Sequence, residues 1–142
     1  MERLTRGEGA SSLRILIVED EALVAMEIEG MLGLAGHEAV AQVDDVESAL
    51  SAVESGAPDL ALVDIHLGRG NSGLDVAAAL KERGIPVLFA TGNCPMERGR
   101  DIALGCLHKP FTDSMLLNAI RAAEAKLEGQ TVQPTSSALH FY

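Results

Sequence analysis

The chain has 142 residues, a length typical of one domain, and carries 11 basic and 21 acidic side chains for a net charge of −10. This balance argues against a nucleic-acid-binding protein, because such proteins neutralise phosphates with lysine and arginine. Apolar residues make up 47% of the chain, enough for one core. No apolar run approaches the roughly 20 residues of a membrane span. We therefore expect a cytoplasmic single-domain protein that binds neither nucleic acid nor membrane.

The acidic residues are concentrated in the first half of the chain. Residues 1–64 hold 14 acidic and three basic side chains, whereas residues 65–142 hold seven acidic and eight basic ones. Such asymmetry favours a partner with a basic patch, although it is also compatible with a role in solubility alone.

Apolar runs alternate with helical patterns in chain order. Strands are predicted over 13–18, 37–43, 60–65, 85–90 and 106–108. Helices are predicted after each strand, with apolar positions within 24–35, 46–53, 74–80, 95–104 and 116–127. The fourth helix is short, and Thr112 or Asp113 is expected to cap the last one.

This alternation predicts a (βα)5 fold in the α/β class, with a five-stranded parallel sheet covered on both faces. The folded domain is expected over residues 13–127. Residues 1–12 are expected to form a flexible arm, and residues 128–142 a flexible C-terminal tail rich in polar residues.

Chemically active side chains follow the strands where parallel strands share one edge. Glu19 and Asp20 follow the first strand, Asp64 ends the third, Thr91 follows the fourth and Lys109 the fifth. Clustered carboxylates repel unless a cation lies among them, and oxygen ligands suit Mg²⁺. The pattern therefore predicts a magnesium site at which Asp64 acts as a nucleophile toward a phosphoryl group.

Two cysteines and four histidines carry weaker signals. A disulfide framework is not expected from Cys94 and Cys106, and this usage fits a reducing compartment. The cysteines lack C-x-x-C spacing, and His37, His108 and His140 lack metal-ligand spacing, so we expect neither a redox nor a zinc site.

The loop 68–73 spells G-x-G-x-x-G, the pattern of a dinucleotide-binding turn. It follows the third strand instead of the first, and no acidic residue stands about 20 positions later. A flexible loop beside Asp64 explains the glycines without a nucleotide.

Four motifs together resemble the response-regulator receiver domain of two-component signalling, which has flavodoxin-like topology with strand order 2-1-3-4-5. They are Ile15-Leu-Ile-Val-Glu-Asp-Glu21, Leu62-Val-Asp-Ile-His-Leu67, Phe89-Ala-Thr91 and His108-Lys-Pro-Phe111. The resemblance covers roughly residues 12–127.

The resemblance implies a role for each residue of the predicted site. Asp64 is the expected phospho-acceptor, and Mg²⁺ is held by Glu19, Asp20, Asp64 and the backbone carbonyl of His66. Thr91 is the expected switch hydroxyl and Lys109 the contact to the phosphoryl group. The resemblance also implies a cis peptide between Lys109 and Pro110.

Two features depart from most receivers. Gly92 follows the threonine where alanine is usual, and Cys106 occupies a position that usually holds an aromatic residue. The segment Phe89-Ala-Thr-Gly-Asn93 is similar to the FATGUY subgroup, whose members often work with histidine kinases of the HWE type. We expect a mobile output surface between Thr91 and Lys109, because glycines flank a short helix there.

The resemblance predicts a stand-alone receiver, not an enzyme, that takes a phosphoryl group from a histidine kinase. It would signal to an unknown protein or drain phosphoryl groups as a phosphate sink. Two alternatives remain: a pseudo-receiver that is never phosphorylated, and a Mg²⁺-dependent phosphohydrolase. His66 at two residues after Asp64 disfavours an aspartate-nucleophile phosphatase, which uses a second aspartate there.

Overall fold

Six strands and four helices form the fold in the computed structural model, which describes residues 12–68, 70, 72–132 and 137–142. The strands are β1 (Arg14–Val18), β2 (Glu38–Val43), β3 (Leu60–Val63), β4 (Val87–Thr91), β5 (Gly105–His108) and β6 (Leu139–Phe141). The helices are α1 (Ala22–Leu34), α2 (Val46–Ser55), α3 (Gly73–Glu82) and α4 (Asp113–Leu127).

The strands form a single sheet in the order β2-β1-β3-β4-β5-β6. The first five are parallel in the predicted order, whereas β6 pairs with β5 in the antiparallel direction. Because parallel strands end at a common edge, the residues after β1, β3, β4 and β5 lie along one side of the molecule.

The sheet separates two apolar layers because successive side chains of a strand point to opposite faces. On β1, Leu16 and Val18 pack with residues of α2 and α3, whereas Ile15 and Ile17 pack with residues of α1 and α4. All five residues of β4 are buried. This two-sided burial explains why the strands read as continuous apolar runs.

Side-chain caps fix the starts of three helices. Asp45 accepts a hydrogen bond from the Ser48 amide at 2.8 Å, and Ser72 accepts one from the Leu74 amide at 3.1 Å. Thr112 accepts a bond from the Met115 amide at 3.2 Å, as predicted for the last helix.

The predicted fourth helix over 95–104 is absent. Residues 92–104, all of which are described, form bends and turns. A disulfide joins Cys94 of this segment to Cys106 on β5, so the expectation of no disulfide was wrong in this structure. Ile102 and Ala103 pack on the sheet face that the helix would have covered. A compact cross-linked loop therefore replaces the helix.

The C-terminal residues also differ from the predicted flexible tail. Leu139 is buried, the Tyr142 amide donates to Leu104 O at 3.0 Å, and the Tyr142 hydroxyl donates to Pro95 O. The segment pairs because β5 would otherwise present an unpaired strand edge, and its apolar side chains bury against that edge. The predicted flexible arm lies, apart from Ser12, outside the described residues.

No helix within the described ranges has both the length and the apolarity needed to cross a lipid bilayer.

Candidate functional site

Four strand ends bring the predicted site residues to one edge of the sheet. Glu19 and Asp20 directly follow β1, Asp64 follows β3, Thr91 ends β4 and Lys109 follows β5. Backbone hydrogen bonds fix this alignment: the Asp64 amide donates to Val18 O at 2.9 Å, and the Lys109 amide donates to Thr91 O at 2.9 Å. We call Glu19, Asp20, Asp64 and Lys109 the acidic pocket.

Lys109 joins two carboxylates of the acidic pocket. Its Nζ lies 2.8 Å from Glu19 Oε1 and 3.0 Å from Asp64 Oδ2. Glu19 and Asp64 are 2% and 8% exposed, so the pairs lie in a poorly hydrated environment where charge interactions are strong. The ammonium thus holds together two acids that are distant in sequence.

Burial sets the ionisation of this pair. It raises the pKa of Glu19, although the hydrogen bond and charge of Lys109 oppose the shift. Burial lowers the pKa of Lys109, but its bonds to Glu19 and Asp64 outweigh this and leave the pKa above the usual value. Lys109 therefore remains a cation at neutral pH.

Asp20 presents the most accessible carboxylate of the acidic pocket. Asp20 is exposed, and its carboxylate lies beside Gly68. A Cβ at position 68 would lie only 2.9 Å from Asp20 Oδ2. Asp64 Oδ1 accepts from the His66 amide at 3.2 Å. Both oxygens of Glu19 are engaged, Oε1 by Lys109 and Oε2 by the Glu21 amide at 3.2 Å. Because Lys109 also contacts Asp64 Oδ2, Asp20 is the acid of the pocket best placed to contact a cation directly.

The Thr91 hydroxyl is buried without a hydrogen-bond partner among the described residues. Thr91 is 0% exposed, and β4 lies between the strands that carry Asp64 and Lys109. An unpaired buried hydroxyl costs free energy, so Thr91 can donate a hydrogen bond to an acceptor placed beside it.

Two glycines of the loop after β3 allow its close approach to the site, a role that sequence reasoning missed. A Cβ at Gly73 would lie 2.0 Å from the Asp64 carbonyl oxygen, so only glycine lets α3 begin there. Gly68 leaves room for the Asp20 carboxylate. The G-x-G-x-x-G pattern was a signal for these contacts, although sequence reasoning treated it only as flexibility.

The predicted cis peptide between Lys109 and Pro110 is present. The side chain of His66 is exposed, and His66 forms an isolated bridge with Ser72 across the loop.

Residues 15–121 match the model of the response regulator receiver domain. The chain belongs to this family. Receiver domains are regulatory modules of two-component signalling proteins and not enzymes. Histidine kinases phosphorylate them.

Three relatives illustrate the similarity. The transcriptional regulatory protein PdtaR of Mycobacterium tuberculosis is 35% identical over 127 residues, covering 86% of this chain and 62% of PdtaR. The crystal structure of the response regulator PhyR from Brucella abortus has a TM-score of 0.75 and 33% identity, covering 89% of this chain and 54% of that one. A PhyR structure from Bartonella quintana, described as an anti-anti-sigma factor, has a TM-score of 0.71 and 28% identity, covering 85% of this chain and 52% of that one. The chain therefore spans about half to three-fifths of these relatives.

Proposed function

We propose that Asp64 accepts a phosphoryl group from the phosphohistidine of a histidine kinase in a Mg²⁺-dependent reaction. The observation that carries this proposal is the contact of Lys109 with both Glu19 and Asp64 at the shared edge of the sheet. It supports a pocket built to hold developing negative charge next to one carboxylate nucleophile.

In the proposed reaction an Asp64 carboxylate oxygen attacks phosphorus. The new P–O bond forms as the bond from phosphorus to the kinase imidazole breaks, and the imidazole nitrogen keeps that electron pair. Lys109 then moves part of its hydrogen bonding from Asp64 to an oxygen of the phosphoryl group. The Thr91 hydroxyl gains an acceptor, which ends its unpaired state.

We propose Glu19, Asp20, Asp64 and the His66 backbone carbonyl as the group that holds Mg²⁺. These residues fit Mg²⁺ because all their donor atoms are oxygens, which this ion prefers. The exposed Asp20 carboxylate also has free space beside Gly68, which carries no Cβ. When bound, the ion would neutralise charge on the phosphoryl oxygens. Because both oxygens of Glu19 and of Asp64 already have partners, direct binding by either carboxylate would require one of these contacts to rearrange.

The proposed kinase-docking surface is the exposed side of α1 with the groove beside it. Leu23 and Met26 are large apolar side chains that are 76% and 61% exposed. Adjacent exposed apolar side chains are typical of a protein-binding surface. A groove of about 390 Å³ between α1 and the segment 109–111 reaches Lys109 itself. A partner seated here would lie next to the acidic pocket, and Glu27 at its edge adds negative charge.

We propose that the chain belongs to the FATGUY subgroup and works in the cytoplasm with a kinase of the HWE type. Support comes from Phe89-Ala-Thr-Gly-Asn93, from Cys106 in place of an aromatic residue, and from the similarity to PhyR proteins. Phosphorylation adds roughly −1.5 to −2 charge at Asp64. The added charge would favour one arrangement of the surface over 91–111, which a protein partner would then recognise.

The direct test is labelling by a small phosphodonor. Wild-type protein incubated with phosphoramidate and Mg²⁺ should gain one phosphoryl group by intact mass, and removal of Mg²⁺ with EDTA should abolish the gain. Asp64→Asn should gain none, whereas the control Asp75→Asn, which alters an exposed carboxylate on α3, should be labelled like wild type.

Other outcomes identify the alternatives. A wild-type protein that takes no label from phosphoramidate or from any kinase phosphohistidine is a pseudo-receiver. Repeated turnover of phosphoesters would indicate a phosphohydrolase. Labelling of Asp64→Asn equal to wild type would contradict the role of Asp64.

A further inference from the structure

A second cluster of ligand side chains lies on the opposite side of β5 from α4 and outside the acidic pocket. Ligand atoms of Cys94, His108 and His140 lie within 4.8 Å of one another. They come from three segments: the loop after β4, the end of β5, and β6. Sequence spacing does not predict this cluster, because His140 reaches it only through the pairing of β6 with β5.

The sheet register explains why these side chains meet. Cys106 lies directly opposite His140 in the antiparallel pair, so both side chains leave the same face. His108 is two residues beyond Cys106 and shares that face. The disulfide places Cys94 next to Cys106. Cys94 and the two imidazoles thus lie around one location, and the disulfide joins Cys106 to Cys94.

The imidazole of His140 provides independent evidence for a ligand. Its Nε2 is buried and makes no hydrogen bond with any described residue. The rings of His108 and His140 meet edge-on, with centroids 5.3 Å apart. Burial lowers the pKa of His140, and the charge of His108 lowers it further. The imidazole is therefore neutral, which is the form that binds metals. A buried imidazole nitrogen is normally paired, and a metal ion would pair it.

We propose that Cys94, Cys106, His108 and His140 form a Cys₂His₂ zinc site when the disulfide is reduced. Tetrahedral zinc with Zn–S of about 2.3 Å and Zn–N of about 2.1 Å holds its ligand atoms roughly 3.5 Å apart. The three that already lie within 4.8 Å therefore need to close by about 1 Å. Thiolate and imidazole donors select zinc over Mg²⁺, so the site is chemically distinct from the acidic pocket.

The disulfide and the zinc site exclude each other, because the same sulfur atoms serve both. A dithiol reductant supplies two electrons and two protons, breaks the S–S bond to give two thiols, and is itself oxidised to a disulfide. Zn²⁺ then displaces the two thiol protons and forms two Zn–S bonds. In either state the segment 92–104 remains tied to β5, and zinc would add a direct link from Cys94 to His140 of β6 beside the hydrogen bonds of Tyr142.

The test uses the full-length chain, freed of metal, reduced with a phosphine, and kept in excess Mg²⁺ to occupy the acidic pocket. Added Co²⁺ should give the visible bands of a tetrahedral site and a near-ultraviolet thiolate-to-cobalt band, and one equivalent of Zn²⁺ should displace it. The thiolate band identifies cysteine ligation and so separates this site from any carboxylate site. Its absence in the reduced chain would overturn the proposal.

Variants and oxidation give a second line of test. His140→Ala should weaken zinc binding by more than about 100-fold, since loss of a mere outer-sphere partner costs 10–100-fold. The control is His37→Ala. His37 accepts a hydrogen bond from the Leu13 amide and lies far from the cluster, so this variant should bind zinc like wild type. Asp64→Asn should also leave the cobalt spectrum unchanged.

Wild-type chain oxidised with diamide remains folded with its disulfide and should lose the thiolate band entirely. Equal zinc affinity of His140→Ala and wild type, or a thiolate band that survives oxidation, would overturn the proposal. Amide hydrogen exchange over residues 139–142 tests whether zinc holds the C-terminal strand in place. Zinc should slow this exchange in the reduced wild-type protein and have no effect on it in Cys94→Ser.

Discussion

Lys109 is the residue on which the acidic pocket depends. It contacts acids from two different strands, and its position follows from the parallel alignment of β1, β3 and β5. The sequence predicted every side chain of the pocket because strand ends are marked by where apolar runs stop. It did not predict which acid Lys109 would engage, since that depends on side-chain packing at the sheet edge.

The raised pKa of Glu19 has a consequence for stability against pH. A carboxyl whose pKa is higher in the folded than in the unfolded protein costs stability once it ionises. Glu19→Gln removes the ionisable group. As pH rises from about 4.5 through the raised pKa of Glu19, the free energy of unfolding of wild type should therefore fall relative to that of Glu19→Gln. Urea unfolding of both proteins at several pH values measures this. Parallel curves would contradict the burial of an ionisable Glu19.

The unpaired Thr91 hydroxyl leads to a separate prediction. Thr91→Val keeps the shape of the side chain and removes a buried polar group without a partner, so unphosphorylated protein should gain about 1 kcal/mol in free energy of unfolding. The same variant should still be labelled at Asp64, but the amide shifts over 91–111 on phosphorylation should be smaller than in wild type. A loss of more than 1 kcal/mol would show that the hydroxyl is paired in the resting state.

Among the elements, β6 and the segment 92–104 are where sequence reasoning failed, and for one shared reason. Short strands and loops gain their structure from contacts with distant parts of the chain, which local patterns do not encode. Tyr142 packs near Pro95 and Gly99, and β6 covers the edge of β5. The aromatic end of the chain was the available signal. The main helices and central strands were predictable because their apolar periodicity is local.

The contribution of β6 can be measured with two leucine variants. Leu139 is 4% exposed and Leu34 is 88% exposed. Leu139→Ala should lower the free energy of unfolding by about 2–4 kcal/mol through lost burial and a cavity, whereas Leu34→Ala should change it by less than about 0.5 kcal/mol. Equal effects in chemical denaturation would show that the C-terminal strand does not pack in solution.

At the scale of the whole molecule, negative charge is concentrated in the first half of the chain, which includes α1 and the three carboxylates of the acidic pocket. The field should steer a kinase with a basic surface toward α1, where exposed apolar side chains and the groove beside Lys109 complete the docking surface. Composition predicted the asymmetry, but only the fold shows that Glu27 lines the groove beside Lys109.

Charge reversal tests this steering. The triple variant Glu21→Lys, Glu27→Lys, Glu29→Lys should slow phosphotransfer from the kinase by tenfold or more at low salt, with a smaller difference at high salt because screening weakens the field. The control reverses Glu82, Asp101 and Glu128, which are exposed elsewhere. Equal rates for the two triple variants would rule out steering by α1. Labelling by phosphoramidate should be unaffected in both.

The most direct measurement of the central claim is the amide NMR spectrum of the full chain with Mg²⁺ and beryllofluoride, which mimics an acyl phosphate. The structure predicts shifts at Asp64, Thr91 and Lys109 together in wild type, and none of these shifts in Asp64→Asn. A wild-type spectrum that does not change, or the same changes in Asp64→Asn, would contradict the assignment of this pocket as a phosphoryl-acceptor site.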